Sequence, residues 1–185
     1  MIGFAMCGSF CTHRKAIAQL RILAATNTVL PIMSENVYST DTYFGTCEAL
    51  KNTVTEICGT EIIHTIAGAE PLGPKIALDA LIICPCTGNT LAKIALGITD
   101  TSVTMAAKAH LRSDRPLVIA LASNDALSAN LKNIGTLLSR KHVFFVPMRQ
   151  DDPEKKPHSL VADFSLLSPT IEYALQGKQY QKIFQ

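Results

Sequence analysis

With 185 residues, 48% of them hydrophobic and only 17% charged, the chain is sized for one domain and is too apolar for disorder. Seventeen Lys and Arg against fifteen Asp and Glu leave +2, too little for a protein that binds nucleic acid by neutralising many phosphates. A mean hydropathy of +0.22 predicts surface that a second copy covers, hence a homo-oligomer.

The first apolar run, Ile2–Cys7, is nearly continuous, as a strand buried on both faces requires. It precedes His13, Arg14 and Lys15, the reverse of the order in an export signal, and no run approaches the ~20 residues of a membrane span. This predicts a cytoplasmic chain without a membrane partner, whose six cysteines (7, 11, 47, 58, 84 and 86) stay thiols. Cys7-x3-Cys11 and Cys84-x-Cys86 are poor zinc spacings, so no metal site is predicted.

Gly8-Ser9-Phe10-Cys11-Thr12 then leads into a helix from about His13. Glycine permits a tight turn, the hydroxyls of Ser9 and Thr12 can cap, and free N–H groups at a helix start favour a phosphate. A plain helix cap accounts for the same residues, and the G-x-G-x-x-G dinucleotide fingerprint is missing. The second strand, Thr28–Met33, ends in Ser34-Glu35-Asn36. Cys47, Leu50, Val54, Ile57 and Cys58 mark one face of a helix. The third strand, Ala80–Cys84, runs into Pro85-Cys86-Thr87-Gly88-Asn89-Thr90, whose side chains can bond a ribityl chain, a phosphate or the edge of a heterocycle.

On the next helix, Ser102 to Arg112, Thr104, Lys108 and Arg112 share a face; a solvated basic stripe is the alternative. Strands at Leu117–Ala122 and Val143–Val146 flank a helix marked by Leu127, Leu131, Ile134 and Leu138. The stretch 149–159 crowds six charges between Pro147 and Pro157, which predicts a surface loop that covers a site or meets a partner. A last helix near 166–176 carries Leu167, Ile171, Ala174 and Leu175. The alternation predicts a single α/β domain over 1–185: a doubly wound parallel sheet, Rossmann-like, in three α/β/α layers, with ligands beyond the carboxyl ends of the strands.

Gly8-Ser9, Ser34, Pro85–Thr90, Ala95–Asp100 and Asn133–Leu138, in that order, resemble the flavoprotein superfamily that includes the homo-oligomeric flavin-containing Cys decarboxylases. The resemblance implies FMN bound between subunits, with Gly8, Ser9, Ser34, Thr87, Asn89, Thr90 and Thr104 as cofactor-binding residues. Through Ala69–Pro74, Ile98–Arg112, Asn124–Leu127, Phe145–Pro153 and Lys156–Ala162 the chain is also similar to the family of dipicolinate synthase B subunits. That similarity implies oxidation of a dihydrodipicolinate-type intermediate in the mother cell of a sporulating bacterium, with an A subunit that carries NAD(P).

A small dicarboxylate needs fixed cations, and Arg14, Lys15, Lys93, Lys108 and Arg112 lie near strand ends. Lys108, Arg112 and Asn124 are the substrate-binding candidates. Aromatising the ring also needs a base; Glu70 is the first candidate and His13 the second. A loop glutamate in water is the alternative for Glu70. Two other readings stay open, an FMN-dependent decarboxylase of the same superfamily and a non-catalytic flavin- or phosphate-binding scaffold. Against the decarboxylase, Ala69-Glu70-Pro71 stands where those enzymes carry His, and only Asn124 remains of their Pro-x-Met-Asn-x-x-Met motif.

Overall fold

Five runs free of charged side chains become parallel strands: β1 (Ile2–Met6), β2 (Val29–Met33), β3 (Ala80–Cys86), β4 (Leu117–Ser123) and β5 (Val143–Phe145). In the computed structural model, which describes residues 1–185, they lie in the order β2-β1-β3-β4-β5. Every residue of the central β3 is buried, which is why its sequence shows no polar alternation. Pro31, which has no N–H to donate, is accommodated because β2 ends the strand order.

The helices are α1 (His13–Ala24), α2 (Glu35–Ser39), α3 (Cys47–Cys58), α4 (Ile66–Ala69), α5 (Gly88–Leu96), α6 (Ser102–Leu111), α7 (Leu131–Leu138) and α8 (Leu167–Leu175). Helices α1, α3 and α8 pack on one face of the sheet, around Phe4, Leu20 and Ile82. Helices α5, α6 and α7 pack on the other, around Leu81, Leu91 and Ile119. This is the doubly wound α/β/α architecture. No helix is long and apolar enough to cross a membrane.

The sheet departs from the parallel expectation at one edge. Strands β6 (Met148–Arg149) and β7 (Leu160–Ala162) form an antiparallel hairpin, and β7 pairs with Ala122 and Ser123 of β4. Because β5 pairs only with Leu117, Val118 and Ile119, two strands share the outer edge of β4. Gln179 occupies the backbone of Phe145 on β5, accepting from its N–H at 2.8 Å and donating to its carbonyl at 2.7 Å. Leu127 falls outside the helix drawn through it. The N–H groups of Ser128 and Asn130 both reach the Asp125 carbonyl, so 124–130 is a turn and the helix starts at Leu131. Helices α2 and α4, five and four residues long, are too short for a periodicity to reveal them.

Two buried histidines tie stability to pH. His13 Nε2 meets the Cys7 carbonyl at 2.8 Å and His110 Nε2 meets the Pro116 carbonyl at 2.9 Å. Burial holds both rings below the ordinary value of 6.5, only partly offset by those carbonyls. As pH falls through 6.5 the unfolded chain takes up these protons before the folded chain does, so acid favours unfolding. Stability present above pH 6.5 is therefore expected to decline below it, on approach to the lower folded values. Denaturant midpoints at pH 7.5, 6.5 and 5.5 measure the decline, and ring titration by NMR assigns it. Midpoints of both rings at or above 6.5 would contradict this account.

Candidate functional site

The carboxyl ends of β1, β3 and β4 meet at an open crevice of about 520 Å³. Ser9, Cys11, Thr12 and Lys15 form one wall, and Thr87 and Gly88 another. Ser123, Asn124 and Asp125 follow β4, and Asp151 and Lys156 enter from the β6–β7 loop. The Cys7 N–H donates to the Pro85 carbonyl and the Ser34 N–H to the Met6 carbonyl, which aligns these strand ends.

Ser9 and Thr12 do not cap. Ser9 Oγ donates to the Ala122 carbonyl at 2.8 Å, and Thr12 Oγ1 to the Ser9 carbonyl at 2.8 Å. Helix α1 therefore opens without a side-chain cap, and the N–H groups of Gly8 and Ser9 have no acceptor in the chain. Ser9 is left-handed (φ 62°), uncommon for a residue with a Cβ. A turn with free N–H groups beside an uncapped helix start is a cradle for an anion.

The other cofactor candidates divide. A Cβ on Gly8 would sit 3.3 Å from the Thr87 methyl, so these turns touch. Thr87 Oγ1 caps α5 by accepting from the Thr90 N–H at 3.2 Å and donates to Thr90 Oγ1 at 3.1 Å. Thr90 is buried behind it against Cys7, while Asn89 is exposed on the first turn of α5. Ser34 Oγ caps α2. Thr104 is buried in a capping box with Thr101, and with Lys108 and Arg112 it lines a separate groove along α6. The structure does not bring those three to the crevice.

Of the candidate bases, neither faces this crevice. Glu70 ends α4 and is exposed outside it. His13 turns into a neighbouring cavity beneath the Tyr43–Phe44 turn, its ring 5.0 Å from that of Phe10. The carboxylates that do face it are Asp125 and Asp151, and the cations are Lys15 and Lys156, with Lys156 Nζ 3.0 Å from Asp151.

Asp125 heads a network that sequence reading missed. It accepts from Ser123 Oγ and, at 2.9 Å, from Asn130 Nδ2, whose Oδ1 accepts from Asn133 Nδ2 at 2.8 Å. These bonds, Ser123 first, hold its carboxyl below the usual carboxylate value. The available signal was the run Asn124-Asp125 with Asn133 beyond it, residues of a turn rather than a period. Gly88 packs against the network: a Cβ there would lie 2.6 Å from Asn130 Nδ2 and 2.7 Å from Asp125 Oδ1. Gly88→Ala is expected to destabilise by about 2 kcal/mol, lowering Tm by roughly 4–8 °C. A scan showing no loss would mean that α5 is free to shift away from the network.

The buried thiols are inert. Desolvation pushes Cys7 up to about 11 and Cys84 and Cys86 higher still.

The sequence model of the Flavoprotein family matches residues 58–164, more than half of the chain. The chain belongs to the flavoprotein family. The B subunit of dipicolinate synthase from Bacillus subtilis (strain 168) is 45% identical over 183 residues, 98% of this flavoprotein and 92% of its relative. The crystal structure of the corresponding B subunit of dipicolinate synthase from Bacillus halodurans superposes with a TM-score of 0.91 at 40% identity, covering 100% of this chain and 95% of that one. A dodecameric FMN-dependent UbiX-like decarboxylase from Escherichia coli O157:H7 is more distant, at 25% identity and a TM-score of 0.62 over 80% of each chain. The family's enzymes thus include more than one chemistry on this fold.

Proposed function

We propose that this flavoprotein is the B-type subunit of a two-subunit oxidoreductase that turns a dihydrodipicolinate-type intermediate into dipicolinate during sporulation, with an A subunit carrying NAD(P). The observation that carries the reading is the near full-length similarity to the B. subtilis protein. The crevice fits a flavin mononucleotide in size and donor set: about 520 Å³, with the free N–H groups of Gly8 and Ser9 and the α1 start for its phosphate. When bound, FMN supplies a two-electron carrier.

This chain's own residues do the rest. Lys15 and Lys156 hold the carboxylates of the substrate, and Asn124 orients it from the β4 end. Asp125, which lines the same crevice and is kept ionised by Ser123 and Asn130, serves as the base in place of Glu70. The assembly is a homo-oligomer whose contact covers Leu96, 72% exposed at the end of α5.

The deciding experiment assays dipicolinate from purified chain and A partner, together and apart, with flavin absorbance of the chain recorded first. Product from the pair alone supports the proposal. Carbon dioxide release from a thiol peptide by this chain alone would replace it with the decarboxylase reading. Full activity of the A subunit alone would leave a scaffold. Replacing Asp151–Lys156 by Gly-Ser is expected to keep the fold and lower turnover of the pair at least tenfold, because it removes a crevice cation. Unchanged turnover would make the loop a passive connector.

A further inference from the structure

The groove that holds Thr104, Lys108 and Arg112 is a second cavity, of about 470 Å³, and it shares no residue with the crevice. It lies between the end of α5, the outer face of α6 and the α7–β5 loop. His142 adjoins Leu117 at the start of β4, whereas the crevice opens beyond Ser123 at its far end. Seven strand residues separate the two by roughly 20 Å, too far for one small ligand to bridge.

Its charge is lopsided. Lys108, Arg112, Arg140 and Lys141 line it against the single carboxylate of Asp114, in a chain whose whole net charge is +2. The charged side chains of these four are exposed and make no salt bridge or hydrogen bond within the chain, which leaves them open to a ligand. Lys108 and Arg112 are one helical turn apart, so their charges repel unless something anionic sits between them.

The backbone is also unusual there. Three non-glycine residues have positive φ: Ser9 in the crevice, and Asp114 (φ 53°) and His142 (φ 64°) in this groove. Asp and His enter this left-handed region more readily than most residues, and here it turns the chain sharply at two points of the groove wall. His142 Nε2 is buried 3.6 Å from Asp114 Oδ1 and has no hydrogen-bond partner. Ile94, Ala107 and Leu111 give the floor an apolar surface.

We propose that this groove binds a small polyanion with an apolar body, such as an aromatic or aliphatic di- or tricarboxylate or a phosphate ester. The four cations take its anionic oxygens and the floor takes its carbon skeleton. The proposal stands apart from the proposed reaction, since it involves no crevice residue.

Titration of the full chain at constant ionic strength, with pyridine-2,6-dicarboxylate in one arm and inorganic pyrophosphate in the other, tests it. Binding of either probe is expected to survive the triple variant Gly8→Asp/Lys15→Gln/Lys156→Gln, which removes the anion donors of the crevice, and to weaken about tenfold or more in Arg112→Gln/Arg140→Gln. Preference for the first probe identifies a carboxylate ligand, and preference for the second a phosphate. No binding of either below about 10 mM overturns the proposal, as do binding lost only in the crevice triple variant and an affinity unchanged in Arg112→Gln/Arg140→Gln. An unchanged affinity with a smaller oligomer in Arg112→Gln/Arg140→Gln would make the groove a subunit contact and overturn it equally.

Discussion

A Gly8→Asp variant is expected to bind flavin mononucleotide about a hundredfold more weakly than the parent chain. The new carboxylate would sit in the cradle formed by the free N–H groups of Gly8 and Ser9, repelling a phosphate and taking up its donors. Losing two charge-assisted hydrogen bonds and adding repulsion amounts to about 3 kcal/mol, which is the hundredfold. Gly8→Ala separates charge from bulk. Its methyl meets Thr87 Cγ2 at 3.3 Å, a tight contact with a movable group, so most of the affinity should remain. Fluorescence titration of FMN into the three proteins reads the series. If Gly8→Asp binds as tightly as the parent, the phosphate lies elsewhere.

Phe145→Ala is the substitution expected to cost most in stability. Phe145 is fully buried on β5, within the cluster that also holds Ile119, Ile134 and Leu137. Truncation removes its apolar area and leaves a cavity that a short strand at the sheet edge cannot close. A loss of about 3–5 kcal/mol is expected, equivalent to a Tm drop of roughly 6–20 °C. Denaturant unfolding with an unchanged m-value measures it. A loss below about 1 kcal/mol would mean that the tail carrying Gln179 settles into the space.

The strands were legible because burial on both faces leaves an almost unbroken apolar run, as Ala80-Leu81-Ile82-Ile83-Cys84 does in β3. The helix over Cys47–Cys58 was legible from its period, and its cap at Thr46 and its stop at Gly59 confirm the ends. The β6–β7 hairpin was not, because strands of two and three residues carry no period. The site was legible only in part. Gly8, Ser9 and Thr87 follow strands, and strand ends converge by topology. Sequence order says nothing of what faces them across space. Lys108 and Arg112 follow a strand end yet ride α6 into the groove, and Glu70 stays on the outside of α4. Asp125 escaped notice because its placement in the crevice rests on bonds to Ser123 and Asn130.

The split outer edge of β4 separates the part of the domain that builds the core from the part that walls the crevice. Along Leu117–Ile119, β5 completes the packed sheet. Along Ala122–Ser123, the hairpin is held by only two register pairs, to Val161 and Leu160, and carries Asp151 and Lys156 to the crevice. Residues 150–158 can therefore lengthen, shorten or change charge without altering the register of any strand that builds the core. The hairpin behaves as an exchangeable cassette on a fixed chassis. On the proposed function, such an architecture can change the molecule it accepts by editing one surface segment, while the turn at Gly8 and Ser9 stays the same.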